Sequence, residues 1–132
     1  MSRPYRADSG DGQRPRILVV DDDDAMCELL RQALSDQGYA VATVSHGAAA
    51  LELVKHHKPA VMLVDLRMPI MDGWAFVEQY RRNADPPAAI VLLSAVKDLE
   101  ATAKRLGVEA YVRKPFQLEE LTVVVQRCLA AT

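Results

Sequence analysis

The chain has 132 residues, of which 50% are hydrophobic and 26% are charged, and its formal net charge is -2. This length fits one compact domain and leaves little room for a second. The near balance of charge gives no reason to expect direct binding to nucleic acid or to an anionic membrane.

The first residues differ in composition from the rest. Residues 1–14 are rich in Gly, Pro, Ser and charged residues and contain hardly any apolar residue. Such a segment cannot bury enough surface to offset the entropy lost on ordering, so we predict a flexible N-terminal tail. Residues 15–132 are predicted to form the single domain.

Cysteine usage and hydropathy bear on the compartment. Cys27 and Cys128 lie far apart, with no second cysteine or histidine at metal-ligand spacing, and predict buried, reduced thiols. We see no apolar run long enough for a membrane span and no signal-peptide hydrophobic region. We therefore expect a cytoplasmic protein without a membrane partner.

Short apolar runs alternate with amphipathic stretches along the domain. The predicted strands are RILVV, YAVATV, AVMLVD, AAIVLLS and EAYVRK. The predicted helices run from Asp24 to a stop at Gly38, then through GAAALELVKHHK (which stops before Pro59), WAFVEQYRR, KDLEATAKRLG and QLEELTVVVQRCLA. Continuous apolar strands between helices predict an α/β fold with a parallel sheet buried on both faces, in which the weakly apolar YAVATV takes an edge.

Polar side chains follow four of the five predicted strands. They are Asp21 and Asp22 after the first, Asp65 after the third, Ser94 after the fourth and Lys114 after the fifth. In open α/β sheets, ligands bind beyond the carboxyl ends of the strands. Carboxylates crowded together disfavour their own ionisation unless a cation lies among them, and hard oxygen ligands suit Mg²⁺. The sequence therefore predicts a Mg²⁺ site at this edge.

Each of these residues also has a simpler explanation. Asp23 and Asp24 stand at a helix start, where an acidic residue caps the helix and complements its dipole, although capping explains the two preceding aspartates less well. Asp65 alone could equally be a turn residue. Lys114 could be a solvated lysine, although its aromatic and proline neighbours favour a fixed side chain.

Four segments, ILVVDD, LVDLRMPIMDG, VLLSA and YVRKPF, in this order and spacing resemble the receiver domain of bacterial two-component response regulators. The likeness covers about residues 14–132. It implies a flavodoxin-like, doubly wound, five-stranded parallel sheet of order 2-1-3-4-5 with helices on both faces, in the single-domain architecture of chemotaxis regulators.

The resemblance also implies the chemistry. Asp65 would accept a phosphoryl group from a phosphohistidine on a sensor histidine kinase or a phosphotransfer protein. Asp22, Asp65 and the backbone carbonyl of Arg67 would bind Mg²⁺ directly, with Asp21 acting mostly through water. A carboxylate can attack phosphorus to give an aspartyl-phosphate, and the transfer needs mainly positioning and charge neutralisation.

The same resemblance implies a conformational switch. Ser94 and Lys114 would contact the phosphoryl oxygens, Tyr111 would be the aromatic that turns inward when Ser94 moves, and the peptide bond from Lys114 to Pro115 would be cis. The outcome would be a shift between two states of the domain, not a released product, so we do not expect an enzyme in the usual sense.

Two further positions are implied to tune the lifetime of the phosphoryl group. They are Arg67, two residues after the acceptor, and Val96, two residues after the hydroxyl. Neither offers a carboxylate or amide that would orient an attacking water molecule, so we predict slow self-dephosphorylation.

The last helix carries more apolar residues than one core stripe needs, because Val123 and Val124 lie beside that stripe. They fit the face made by the fourth helix, fifth strand and fifth helix, which the resemblance implies would bind a downstream protein, or a second copy after phosphorylation of a monomer. A broad core-facing helix with one exposed valine explains them equally well. We expect His46, His56 and His57 to be surface residues.

Two other functions are compatible with parts of the sequence. A Mg²⁺-dependent phosphatase with an aspartyl-phosphate intermediate would use two aspartates spaced like Asp21 and Asp23, but the chain is short for a cap domain and Asp65 would lack a role. A degenerate receiver serving as a scaffold would lack the acceptor, an acidic residue or the lysine, and none is missing. We therefore predict a phosphoacceptor switch.

Overall fold

Five strands and five helices alternate along residues 16–131, which are the residues described by this computed structural model. The elements are β1 (Arg16–Val20), α1 (Asp24–Asp36), β2 (Ala40–Val44), α2 (Gly47–Val54), β3 (Val61–Asp65), α3 (Gly73–Asn83), β4 (Ala89–Ser94), α4 (Leu99–Leu106), β5 (Ala110–Arg113) and α5 (Leu118–Ala130). The predicted alternation is confirmed. The predicted tail, residues 1–14, lies outside the described residues.

The strands form one sheet in the order β2-β1-β3-β4-β5, and every neighbouring pair is parallel. The predicted doubly wound topology is confirmed, and the weakly apolar β2 lies at an edge as expected. Strand order reverses between β1 and β3. That reversal is the switch point at which folds of this kind form their ligand sites.

Alternate side chains of each inner strand enter two separate cores. On β3, Val61 and Leu63 pack with α1 and α5, whereas Met62 and Val64 pack with α2, α3 and α4. All five residues of β3 are buried. Burial on both faces explains why the inner strands are continuous apolar runs without a polar alternation. Cys27 and Cys128 are free and buried in the first of these cores, as predicted.

The helix ends follow from local chemistry. The carboxylate of Asp23 accepts hydrogen bonds from the N–H groups of Ala25 and Met26 at 3.0 and 3.2 Å, so this aspartate caps α1 as predicted. Gly38, with φ of 97°, follows the end of α1, and Gly107, with φ of 70°, ends α4. Both adopt the left-handed conformation that favours glycine at helix ends.

Helix α2 ends at Val54, four residues earlier than the sequence pattern predicts. Pro59 disfavours helical geometry only at Lys58, and the preceding KHHK segment (residues 55–58) has no apolar side chain that would hold another turn against the core. The N–H groups of His56 and His57 both donate to the Leu53 carbonyl at 3.0 Å and close the last turn.

The histidine at the start of α2 was not fully anticipated. His46 is half-buried, and its Nδ1 accepts a hydrogen bond from the Ala49 N–H at 3.2 Å, so it caps the helix. His56 is exposed, as expected, and His57 is half-buried. Within residues 16–131, no helix combines the length and the apolar character needed to cross a membrane.

The loop between β3 and α3 contains a strained residue. Ile70 has φ of 71°, and the Met71 N–H donates to the Pro69 carbonyl across it at 2.7 Å. This is a γ-turn of the strained kind, in a conformation that β-branched residues rarely adopt. The Ile70 side chain is 83% exposed, so burial of its apolar surface does not offset the free-energy cost of this backbone conformation.

Replacing Ile70 with glycine is expected to stabilise the protein. Relief of the left-handed strain exceeds the extra freedom that glycine gives the unfolded chain, so the gain should be about 1 kcal/mol, or roughly 3–5 °C in melting temperature. Thermal unfolding followed by circular dichroism measures it. Ile70→Ala is the matched control, because it removes the exposed side chain without giving the backbone glycine's freedom. An equal gain in both variants would show that the backbone is not strained.

Candidate functional site

Three carboxylates meet where β1 and β3 end side by side in the sheet. Asp21 and Asp22 follow β1 and Asp65 is the last residue of β3, and each has a side-chain oxygen within 4.8 Å of the others. Asp21 is 1% exposed and Asp65 is 8% exposed, whereas Asp22 faces solvent. The predicted cluster therefore exists, with two buried carboxylates and one open one.

Lys114, which follows β5, reaches across the end of the sheet to this cluster. Its Nζ lies 2.8 Å from Asp21 Oδ2 and 3.5 Å from Asp65 Oδ2. Burial by itself lowers the pKa of Lys114, but the hydrogen bond and charge of Asp21, followed by those of Asp65, outweigh it and raise that pKa overall. The lysine is therefore a fixed cation at this edge and not a solvated side chain.

The negative charge of Asp65 is less closely balanced by the Lys114 ammonium than the negative charge of Asp21. Burial raises the pKa of the Asp65 carboxyl group, Lys114 opposes that effect, and the neighbouring charge of Asp21 adds to it. The Arg67 N–H donates to Asp65 Oδ1 at 3.3 Å, which lowers the pKa slightly, but the net direction is upward. An ionised Asp65 thus carries negative charge that its surroundings do not fully balance.

The donor set fits a magnesium ion. Hard carboxylate oxygens, one of them open to solvent on Asp22, are the ligands that Mg²⁺ uses while keeping part of its water shell. The uncompensated charge at Asp65 supplies the attraction for a second positive charge beside Lys114.

The loop between β3 and α3 is fixed by a close approach of the backbone. The Gly73 N–H donates to the Leu66 carbonyl at 2.9 Å, and a Cβ atom on Gly73 would lie 2.4 Å from the Asp65 carbonyl oxygen. Only glycine fits there. From the sequence alone, this glycine is noted only within the segment LVDLRMPIMDG and is assigned no role. The sequence feature that could have indicated its importance is its place directly after Asp72. The Asp72 carboxylate caps α3 by accepting a hydrogen bond from the Ala75 N–H at 2.9 Å.

Ser94 ends β4, between the strands that carry Asp65 and Lys114. It is 1% exposed, and its Oγ accepts a hydrogen bond from the Val96 N–H at 3.3 Å. The Lys114 N–H donates to the Ser94 carbonyl at 2.9 Å. Tyr111 lies on β5 with 39% of its surface exposed, so its ring stands outward in this structure.

The remaining predicted positions lie around the same edge. Arg67 is exposed, whereas Val96 is 6% exposed and packs in the core. The peptide bond from Lys114 to Pro115 is cis, as predicted, and the bond from Asp85 to Pro86 is also cis, which was not anticipated.

The cysteine beside the carboxylate cluster, Cys27, is buried and weakly reactive. The Cys27 thiol donates to the Asp21 carbonyl at 3.2 Å. Burial, together with the charges of Asp21, Asp24 and Asp23, raises the pKa of Cys27 to about 12. Because the thiolate is the reactive form, this pKa keeps the Cys27 thiol protonated and weakly reactive at neutral pH.

The structure separates the two valines of α5. Val123 is 43% exposed, whereas Val124 is half-buried and packs against the core formed with α1. One exposed valine therefore remains on the outer surface of α5.

Replacing Asp65 with asparagine is expected to stabilise the metal-free protein. A carboxyl group whose folded pKa is raised contributes stability below its unfolded pKa of 3.8 and loses it as the pH rises through the folded pKa. The melting temperature of Asp65→Asn, measured with EDTA present, should therefore exceed that of the wild type by an amount that grows as the pH rises from 4 to 8.

The exposed Asp36, at the end of α1, provides the matched control as Asp36→Asn. An advantage of Asp65→Asn that stays constant with pH, or a loss of stability at pH 8, would contradict the assignment of a poorly compensated charge to Asp65.

Comparison with known proteins assigns the chain to a family. The family described as the response regulator receiver domain matches residues 17–126. The chain is 38% identical over 118 residues to response regulator MprA of Mycobacterium sp. (strain KMS), a match that covers 89% of this chain and 51% of MprA. It is 35% identical over 120 residues to the DNA-binding transcriptional regulator NtrC of Escherichia coli K12, covering 89% of this chain and 25% of NtrC.

A solved structure gives the same answer. Response regulator protein TrrA of Thermotoga maritima, in complex with Mg²⁺ and BeF, superposes with a TM-score of 0.78 at 30% identity, over 86% of this chain and 98% of that chain. The chain spans about half or less of the length of the curated relatives it matches. The match across residues 17–126 and these similarities establish that the chain belongs to the response regulator receiver domain family, the phosphoacceptor signalling switches of two-component systems.

Proposed function

We propose that Asp65 is the phosphoryl acceptor of this receiver domain and takes the group from a phosphohistidine on a sensor histidine kinase or a phosphotransfer protein. The observation that carries the proposal is the position of Asp65 at the switch point of the sheet, buried beside Asp21 and within 3.5 Å of the Lys114 ammonium. A buried carboxylate with a fixed cation beside it suits attack on an electron-poor phosphorus.

In the transfer step, an Asp65 carboxylate oxygen forms the new bond to phosphorus. The phosphorus–nitrogen bond of the phosphohistidine breaks, and its electron pair stays on the imidazole nitrogen of the donor. Lys114 stands next to Asp65 Oδ2, where its positive charge balances the charge that gathers on the phosphoryl oxygens. The domain thus carries out its own phosphorylation and releases no product.

Magnesium is part of this proposal. Asp22, Asp65 and the Arg67 carbonyl would hold the ion directly, with Asp21 acting mostly through water, and when bound it would neutralise phosphoryl charge. The closeness of the three carboxylates supports this assignment. TrrA, a relative at 30% identity, is described in a complex with Mg²⁺ and BeF.

The signal would be a change in the populations of two conformations. A phosphoryl group on Asp65 offers new hydrogen-bond acceptors to Ser94, and the movement of Ser94 opens room for Tyr111 to turn inward. The outward ring of Tyr111 in this structure fits the resting state. The activated state would present the α4–β5–α5 face, including the exposed Val123, to a target protein or to a second copy of a monomeric chain.

We further propose that the receiver domain occupies residues 15–132 and acts in the cytoplasm without contacting nucleic acid itself. The family match at 17–126 and the packing of α5 up to Leu129 support the extent of the domain. Two free buried thiols are typical of a reducing compartment. MprA and NtrC are about twice and about four times the length this chain spans, so DNA binding in NtrC concerns a longer protein.

The phosphatase alternative would need Asp21 and Asp23 to be free for catalysis. Asp23 accepts hydrogen bonds from the N–H groups of Ala25 and Met26, and Asp21 is paired with Lys114. The pair that this reaction would need is therefore committed to a helix cap and an ion pair.

Incubation with acetyl phosphate and Mg²⁺ is expected to add the mass of one phosphoryl group to the intact protein. EDTA should abolish the adduct, because phosphoryl transfer needs the charge neutralised, and Asp65→Asn should abolish it because the nucleophile is gone. Intact-mass spectrometry measures the result. Asp36→Asn is the matched control and should be labelled like the wild type. An adduct that forms on Asp65→Asn would refute the acceptor assignment.

Arg67→Asn is expected to shorten the lifetime of the adduct several-fold. An amide two residues after the acceptor can orient an attacking water molecule, whereas Arg67 is a bulky cation and the buried Val96 offers no polar group. The decay of the phosphorylated mass with time measures the effect. Arg82→Asn makes the same chemical change on the exposed side of α3 and should leave the decay unchanged. Equal decay in both variants would remove Arg67 from this role.

A further inference from the structure

Arg113, the last residue of β5, holds the loop that follows β4. Its Nη1 donates to the Val96 carbonyl at 2.7 Å, which is a typical length for a hydrogen bond from a charged donor. The N–H of the same Val96 donates to Ser94 Oγ at 3.3 Å. Val96 is therefore held on both sides, by the switch hydroxyl through its N–H and by the arginine through its carbonyl.

This double hold opposes the movement that activation requires. Ser94 Oγ can approach a phosphoryl group on Asp65 in two ways: it breaks its bond to the Val96 N–H, or it carries Val96 along. The second route stretches the 2.7 Å bond from Arg113 and disturbs a Val96 side chain that is only 6% exposed. The arginine therefore favours the resting position of the loop.

Arg113 also lies on the same side of the sheet as the aromatic switch residue. Arg113 and Tyr111 are two positions apart on β5, so their side chains project from one face, opposite to the buried Val112. In the register of the sheet, Arg113 pairs with Ser94 and Tyr111 with Leu92. The arginine thus stands between Tyr111 and the carboxyl end of β4, where the switch loop begins.

We propose, on the basis of the function proposed above, that Arg113 is a positioning residue that holds the β4–α4 loop (residues 95–98) in its resting arrangement until phosphorylation releases it. Without the arginine, the free-energy difference between the resting and activated states is smaller. A ligand that prefers the activated state then binds more tightly, because the competent state is more populated.

The first measurement needs no phosphoryl donor. Amide hydrogen exchange is followed by NMR on the full chain for the wild type, Arg113→Ala, the conservative Arg113→Lys and the control Arg82→Ala. In Arg113→Ala the Val96 amide is expected to exchange about threefold or more faster, while amides of β1 and β3 keep their wild-type rates. A general loss of stability would instead accelerate the core amides as well, and that outcome or an unchanged Val96 rate would overturn the proposal.

The second measurement is the affinity for beryllofluoride, a phosphoryl mimic, in the presence of Mg²⁺, determined by isothermal titration calorimetry. Arg113→Ala should bind about threefold or more tightly than the wild type, Arg113→Lys should fall between them, and Arg82→Ala should match the wild type. Equal or weaker binding by Arg113→Ala would overturn the proposal.

The two measurements separate the two claims. If the wild type neither binds beryllofluoride nor takes up a phosphoryl group from acetyl phosphate, the proposed function fails. The hold of Arg113 on the loop is then decided by the Val96 exchange rate alone, and equal rates in wild type and Arg113→Ala would overturn it.

Discussion

The arrangement of charged groups at the carboxyl edge of the sheet depends on the contacts of the Lys114 ammonium with two carboxylates. The ammonium joins the end of β5 to Asp21 after β1 and to Asp65 at the end of β3, residues that are 93 and 49 positions away in the chain. Without this cation, two buried carboxylates would face each other across neighbouring strands, and the charge of Asp21 already raises the pKa of Asp65. The lysine compensates Asp21 more closely than Asp65, which leaves Asp65 as the group with unbalanced charge.

The fold and the position of the site follow from features that are local in the sequence. Apolar runs such as β3 indicate strands buried on both faces, and the carboxyl ends of parallel strands meet at one edge, so Asp65 and Ser94 could be placed together before any contact was known. The order of the strands came from the resemblance. The error at the end of α2 came from extending the helix up to Pro59 through KHHK, a stretch without an apolar side chain that would hold another turn against the core.

The features that sequence reasoning missed depend on distances between segments. The approach of Gly73 to the Asp65 carbonyl and the bond from Arg113 to the Val96 carbonyl join residues whose separation is set by packing of complete elements. The half-buried cap made by His46 likewise depends on side-chain direction. These details, with the strained Ile70, concentrate in loops at the edge of the sheet that holds the three carboxylates, where local geometry is kept at a cost in stability.

The two buried cysteines make it possible to measure how often one layer of the domain opens. Cys27 and Cys128 both lie in the layer formed by α1, α5 and one face of the sheet, and burial raises the pKa of each thiol. Reagents that alkylate or oxidise thiolates reach them only when that layer opens, so the rate of thiol labelling measures how often α1 or α5 leaves the sheet. Oxidants that inactivate exposed low-pKa thiols would therefore leave Cys27, and the carboxylate cluster beside it, unchanged in the folded domain.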